Sequence, residues 1–160
     1  MKQIASFQID HDRLLPGMYV SRVDGDVVTY DLRFVRPNTP PFLSNGSLHT
    51  IEHLFATYVR SSAYADQVVY FGPMGCRTGF YFLTRGLSHD KAIALTQEAL
   101  RFIAGYTGEI PGATARECGN YREHDLEQAR LDARNMEKAL EGWQENKLSY
   151  TAGRMETHRA

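Results

Sequence analysis

The stretch His49-Thr50-Ile51-Glu52-His53-Leu54-Phe55 constrains this chain more than any other. A helical residue turns about 100° and rises about 1.5 Å, so His49 and His53 fall one turn apart on a single stripe. Two imidazoles at that spacing can close on one metal ion with little rearrangement. Glu52 precedes the second histidine by one step, within reach of whatever such a metal binds. Two ligands and an acid/base group therefore share one rigid element, and the rest of the fold has to bring a third ligand to them and leave a position open.

The flanking residues agree with a helix. Pro37 to Gly46 holds three prolines and a glycine and reads as a loop. Ser47 is the expected N-cap, which places His49 in the first turn, and the helix is expected to run to about Ser61. Leu48, Ile51, Phe55 and Tyr58 or Val59 form its apolar stripe; His49, Glu52, His53, Ala56 and Arg60 form the neighbouring one. Ala56 leaves space above the histidine pair, and Arg60 sets a cation two turns along.

Around this helix the pattern is one of short strands and helices. Met18–Val23 and Val27–Val35 alternate about Asp24-Gly25-Asp26 as a hairpin. Tyr30, Leu32 and Phe34 point to one face, with Thr29, Asp31, Arg33 and Val35 on the other. A short strand is expected near Phe7–Ile9. Gln67–Phe71 and Thr78–Arg85 read as strands separated by Gly72-Pro73-Met74-Gly75, the turn that carries Cys76. Ser88 caps a helix ending near Gly105, and Thr107–Cys118 is a loop. A last helix runs from about Asp125 to Gln144 with Leu126, Ala129, Ala133, Met136 and Leu140 as its apolar line; beyond Tyr150 a frayed tail is expected. The sum is one α+β domain over residues 1–160, its mainly antiparallel sheet packed against helices and its metal site on the His-x-x-Glu-His helix.

Composition excludes several classes. A formal net charge of −1 gives no electrostatic reason to expect nucleic acid or an anionic membrane. No apolar run approaches the ~20 residues of a membrane span, and Met1–Ser6 lacks the apolar core of a signal peptide. These features predict a cytoplasmic protein. Cys76 and Cys118 are too few for a disulfide scaffold and stay reduced there. Their neighbours, Met74-Gly75-Cys76-Arg77 and Arg116-Glu117-Cys118-Gly119-Asn120, are polar and glycine-rich, unlike the surroundings of an inert core thiol.

The third ligand is open at this level. The order His-x-x-Glu-His is that of the inverted metallopeptidases, which complete their site with a downstream glutamate, so Glu98, Glu109, Glu117 and Glu123 are candidates. Cys118, on a loop able to bend toward the histidines, is the softer donor. A thiolate ligand suits carbonyl chemistry better than peptide hydrolysis. Cys76, exposed by a tight turn, would join Glu52 as a second proton-transfer group. A hydrolase needs one base to activate water; two such groups suit repeated proton shifts beside a carbonyl, as in aldose–ketose isomerisation followed by elimination.

Five motifs in order then resemble the S-ribosylhomocysteine lyase (LuxS) family of autoinducer-2 synthesis. They are Ser-Phe-Gln-Ile-Asp-His at 6–11, Asp-Leu-Arg-Phe at 31–34, His-Thr-Ile-Glu-His-Leu at 49–54, Gly-Pro-Met-Gly-Cys-Arg-Thr-Gly-Phe-Tyr at 72–81 and Glu-Cys-Gly-Asn-Tyr at 117–121. The resemblance implies a homodimer with active sites at the subunit interface and one divalent metal per subunit, Fe²⁺ with Zn²⁺ or Co²⁺ able to substitute. It implies cleavage of S-ribosyl-L-homocysteine to L-homocysteine and 4,5-dihydroxypentane-2,3-dione. By motif position His49, His53 and Cys118 are the metal ligands, and Glu52 and Cys76 the acid/base pair. Ser6, His11 and Arg33 fall where the family contacts the ribosyl part, and Arg60 where it holds the homocysteine end across the interface. Taken alone, His11 would be a surface or capping residue and Arg33 a solvated strand residue; only the motifs raise them. Where the family carries a small polar or acidic residue six positions before the cysteine, this chain has Tyr70, followed by Phe71. His89 and His158 read as structural or solvent-facing. His124 reads as part of the last helix's N-terminal cap, close enough to Cys118 to touch a ligand. An inverted metallopeptidase and a non-catalytic module with a closed four-ligand site are the competing classes.

Overall fold

The alternation read in the first hairpin is what builds the sheet. In the computed structural model, which describes residues 1–4 and 7–150, β1 (Gly17–Asp24) pairs antiparallel with β2 (Val27–Arg33). Then come α1 (Asn45–Arg60), β3 (Val68–Pro73), β4 (Gly79–Arg85), α2 (His89–Ala104) and α3 (Leu126–Ala139). The four strands lie in the order β1-β2-β4-β3, with every neighbouring pair antiparallel. Met18 faces Leu32, Tyr30 faces Phe82 and Leu32 faces Phe80, and all five side chains are fully buried against the helical layer.

Helix α1 is seated by aromatic packing. Phe55 stacks on Phe71 of β3 at 3.9 Å between centroids, and Phe71 stacks on Phe80 of β4 at 4.9 Å. Helices α2 and α3 pack on α1 and on each other, and Ile51, Leu54, Phe55 and Val59 vanish into that junction. The stripe bearing His49, Glu52 and His53 stays half-buried beside it.

The expected boundaries hold with three corrections. The N-cap of α1 is Ser44, whose Oγ accepts the Ser47 N–H at 3.2 Å; His49 therefore lies one turn deeper than expected. Ser47 is instead buried, and its hydroxyl donates to Asp132 of α3 at 2.5 Å, a tertiary contact that local capping rules cannot see. The last helix stops at Ala139, because Gly142 at φ +67° turns the chain away. Residues 7–9 form no strand; Phe7 N–H closes a turn on Ile4 O and its ring is exposed. The expected fraying beyond Tyr150, and the positions of Ser6 and His158, lie outside the described residues. Among those described, no helix is long and apolar enough to cross a membrane.

The outer face of the sheet is partly covered by the chain's own C-terminal segment. Val20 N–H donates to Leu148 O at 2.8 Å, and the Trp143 indole N–H to Met18 O at 3.0 Å. Under that cover lies the ion pair Asp31–Arg33, 0% and 2% exposed. Elsewhere on this face Tyr70 is exposed, beside a register shift between Val68 and Tyr70 that leaves Val69 exposed as well.

Candidate metal centre and active site

Helix α1 presents both histidines in one direction, and two backbone carbonyls fix their rings. His49 Nδ1–H donates to Glu123 O at 2.9 Å and His53 Nδ1–H to Pro111 O at 2.8 Å. A carbonyl only accepts, so Nδ1 carries the hydrogen in each ring and Nε2 is left with its lone pair. Those two nitrogens converge on Cys118 Sγ, 3.3 Å from His49 Nε2 and 3.8 Å from His53 Nε2. Nitrogen and sulfur bound to one tetrahedral zinc-like ion stand roughly 3.5 Å apart, given bonds of about 2.0 and 2.3 Å. The spacing fits.

The loop from α2 to α3 supplies this geometry. Cys118 N–H closes a turn on Thr114 O at 3.0 Å, and Gly112 at φ +70° lets the chain pass His53 closely enough for Pro111 O to reach it. A Cβ at 112 would sit 3.4 Å from His53 Nδ1. The candidate glutamates are turned elsewhere. Glu117 accepts from Thr114 Oγ1 at 2.7 Å, Glu98 faces Tyr58, and Glu109 and Glu123 contribute backbone carbonyls, to Tyr106 and His49.

His124 completes the cluster. Its ring stacks on His49 at 4.0 Å and meets His53 edge-on at 4.8 Å, and its Nδ1 is 3.0 Å from Thr50 Oγ1. Its Nε2 is buried without a hydrogen-bond partner, and the donor atoms of His49, His53, Cys118 and His124 all lie within 4.8 Å of one another. Burial, then the neighbouring His49 and His53, push its pKa down to about 4, so the ring is neutral near pH 7. An orphaned buried nitrogen beside two oriented imidazoles and a thiol could hold a borderline-soft divalent metal.

Beside His53 opens a cavity of about 360 Å³ walled by Glu52, Arg60, Tyr70, Phe71 and Gly112. Arg60 is steadied by Val69 O at 3.3 Å. Glu52, Arg60 and His53 thus come together as the sequence suggested, with Tyr70 lining the same cavity.

Cys76 and Arg33 form a second group. Cys76 is exposed on a tight turn in which Arg77 adopts φ +61°, a conformation costing roughly 1 kcal/mol outside glycine. Its sulfur is 3.0 Å from Thr78 Oγ1 and 4.0 Å from Arg33 Nη1, while Arg33 Nη1 donates to Thr78 Oγ1 at 2.8 Å. Arg33 is committed to Asp31 by two further hydrogen bonds, 3.1 Å from Nε and 2.7 Å from Nη2. Burial works against its cation, but the charge and hydrogen bonds of Asp31 hold its pKa above the ordinary value. His11, half-buried, is 2.9 Å through Nδ1 from Ile9 O.

The model of the family described as S-ribosylhomocysteinase (LuxS) matches residues 4–147. The chain belongs to the LuxS family. An S-ribosylhomocysteine lyase of Phocaeicola vulgatus is 48% identical over 157 residues, covering 94% of this chain and 98% of the relative. Those of Clostridium acetobutylicum, 46% over 156 residues, and Porphyromonas gingivalis, 48% over 157, cover the same 94% of this chain and 99% of their own.

In this LuxS-family member two residues escaped sequence reasoning. Thr78 lies within the Gly72–Tyr81 motif, and its spacing of two from Cys76 on an emerging strand was the available signal. Tyr150 carried none: nothing in the pair Ser149-Tyr150 foretells that its phenol donates to Asp31 at 2.7 Å.

Proposed function

We propose that this chain is a metal-dependent S-ribosylhomocysteine lyase, releasing L-homocysteine and 4,5-dihydroxypentane-2,3-dione. Its family and relatives support the activity; the observation that carries it in the structure is Cys118, rather than any glutamate, among the converging donors. A thiol in place of a glutamate as third donor disfavours the inverted-peptidase reading. A divalent ion held by His49, His53 and Cys118, with Fe²⁺ proposed as the ion, would supply Lewis-acid polarisation of the sugar oxygens.

The chain's own groups do the rest. The carbonyl moves from C1 to C3 by proton transfers between neighbouring carbons and oxygens; removal of the C4 proton then expels the C5 thiolate. No oxidant or reductant is consumed. Glu52, on the cavity wall one step from His53, moves protons among the oxygens and to the departing sulfur. Cys76, as a thiolate, takes protons from carbon, favoured by the Arg33 cation and the Thr78 hydroxyl. Arg60 stands where it can pair with the carboxylate of the homocysteine end, while Ser6 and His11 serve the ribosyl part.

The same reading makes the protein a cytoplasmic homodimer. Cys76 and Arg33 make their contacts outside the Glu52 cavity, and the outer sheet face shows exposed Tyr70 and Val69 next to a second cavity of about 300 Å³ reached by Ile4. A second copy on that face would set one copy's Cys76 against the other's Glu52. The deciding assay follows homocysteine release from S-ribosylhomocysteine with a thiol reagent. Metal-loaded protein should release it and lose this on Glu52→Gln. Mixed, exchanged Glu52→Gln and Cys76→Ala subunits should regain up to a quarter of wild-type activity. No release by metal-replete protein overturns the lyase; no recovery after verified exchange overturns the shared site.

A further inference from the structure

Beyond Arg33, the polar network on the outer sheet face extends to a residue that the lyase reading leaves unused. Asp31 of β2 is fully buried. Its Oδ1 accepts Arg33 Nε–H, and its Oδ2 accepts both Arg33 Nη2–H and the Tyr150 phenol, each at 2.7 Å. The remaining Arg33 donor, Nη1, reaches Thr78 Oγ1, which lies 3.0 Å from Cys76 Sγ. A hydroxyl that accepts a guanidinium N–H keeps its own hydrogen free for the sulfur. Tyr150 is thereby joined to Cys76 through Asp31, Arg33 and Thr78, each link a hydrogen bond.

Tyr150 is well fixed for this. Its ring stacks on Tyr19 at 5.2 Å with 22° between planes, and the backbone before it is tied to β1 through Leu148 O. Burial, then the Asp31 charge, raise the phenol pKa well above its usual range, with Ser21 facing the same oxygen. The phenol thus remains a donor at every working pH. A carboxylate that also accepts a phenol hydrogen neutralises the guanidinium less completely and is held against rotation. Both effects act in one direction: the unspent charge of Arg33 is turned toward Thr78 and Cys76. The adjacent Arg77 does not replace it, since its guanidinium donates to Leu43 O at 3.2 Å.

We propose that Tyr150 is a positioning residue for Cys76: the hydrogen bond it donates to Asp31 fixes the Asp31–Arg33 pair so that Arg33 and Thr78 favour the Cys76 thiolate. The proposal rests on Cys76 being the proton-transfer group of the lyase. The test measures iodoacetamide alkylation of Cys76 against pH in the metal-loaded enzyme, read by mass on the Cys76 peptide, for wild type, Tyr150→Phe and Tyr19→Phe. Tyr150→Phe keeps the stacked ring and loses only the hydroxyl. Its alkylation profile should move toward higher pH by roughly half a unit, a threefold slower reaction on the acid side, with metal content unchanged. Tyr19→Phe removes the nearby hydrogen bond to Leu15 O and should leave the profile in place. A wild-type profile for Tyr150→Phe, or an equal shift in Tyr19→Phe, overturns the proposal. Normal homocysteine release by metal-replete Cys76→Ser would instead remove the role assigned to Cys76, an outcome the alkylation profile does not depend on.

Discussion

Replacing Arg33 by methionine separates a structural ion pair from a substrate contact. The resemblance places Arg33 against the ribosyl group, yet its guanidinium is 2% exposed and three of its nitrogens are already bonded to Asp31 and Thr78. Arg33→Met keeps the stem's apolar volume and strips the charge. Asp31, itself 0% exposed, would keep only the Tyr150 hydroxyl. Removing one partner of such a pair costs about 3–5 kcal/mol, because an uncompensated carboxylate remains in the interior. Total stabilities run to about 5–15 kcal/mol, so the loss is roughly a fifth or more, and at roughly 2–4 °C per kcal/mol the midpoint should fall about 6–20 °C. Urea unfolding of apoprotein at fixed concentration reads this as a lower midpoint with unchanged slope. Asp31→Asn combined with Arg33→Met removes both charges and should recover at least about 2 kcal/mol. If Arg33→Met costs under about 1 kcal/mol while abolishing turnover, the ion-pair reasoning is refuted and Arg33 serves substrate instead.

Three further outcomes follow from the site. Cys118→Ala should lose most bound metal, whereas Glu109→Gln and Glu123→Gln, which offer only backbone carbonyls here, should retain it; metal analysis of the purified variants decides. Glu52→Gln should lower turnover by about 10²–10⁴-fold with metal content unchanged, since Glu52 lines the cavity without joining the donor cluster; parallel rate and metal measurements check this. His124 has a folded pKa near 4, below its unfolded value of 6.5. In metal-free protein its unfolded form therefore takes up a proton first, and stability should decline as pH falls from about 6.5 toward 4, with none of this contribution above. Urea midpoints across that range should flatten in His124→Gln; an unchanged slope would show that His124 is not buried neutral.

What the sequence determined by itself was largely local in origin, although the strand read at 7–9 and the far end of the last helix were not among it. The His49/His53 spacing, the alternation of Tyr30, Leu32 and Phe34 and the capping serine at 88 follow from helix and strand periodicity, and each stands as read. The motifs added the family, because five short patterns in fixed order rarely arise by chance. Tertiary structure decided what depends on elements far apart in the chain. It brought Cys118, rather than any of the four glutamates, beside the histidines by folding the 105–125 loop against α1, and it aimed His49 through the carbonyl of Glu123, 74 residues away. It moved the helix cap from Ser47 to Ser44 by calling Ser47 to Asp132. It also hid Arg33, which alternation alone assigns to an outward face, because the C-terminal segment returns to cover that face and sets Tyr150 on Asp31. Periodicity says which side of a strand a residue occupies; only long-range packing says whether that side meets water.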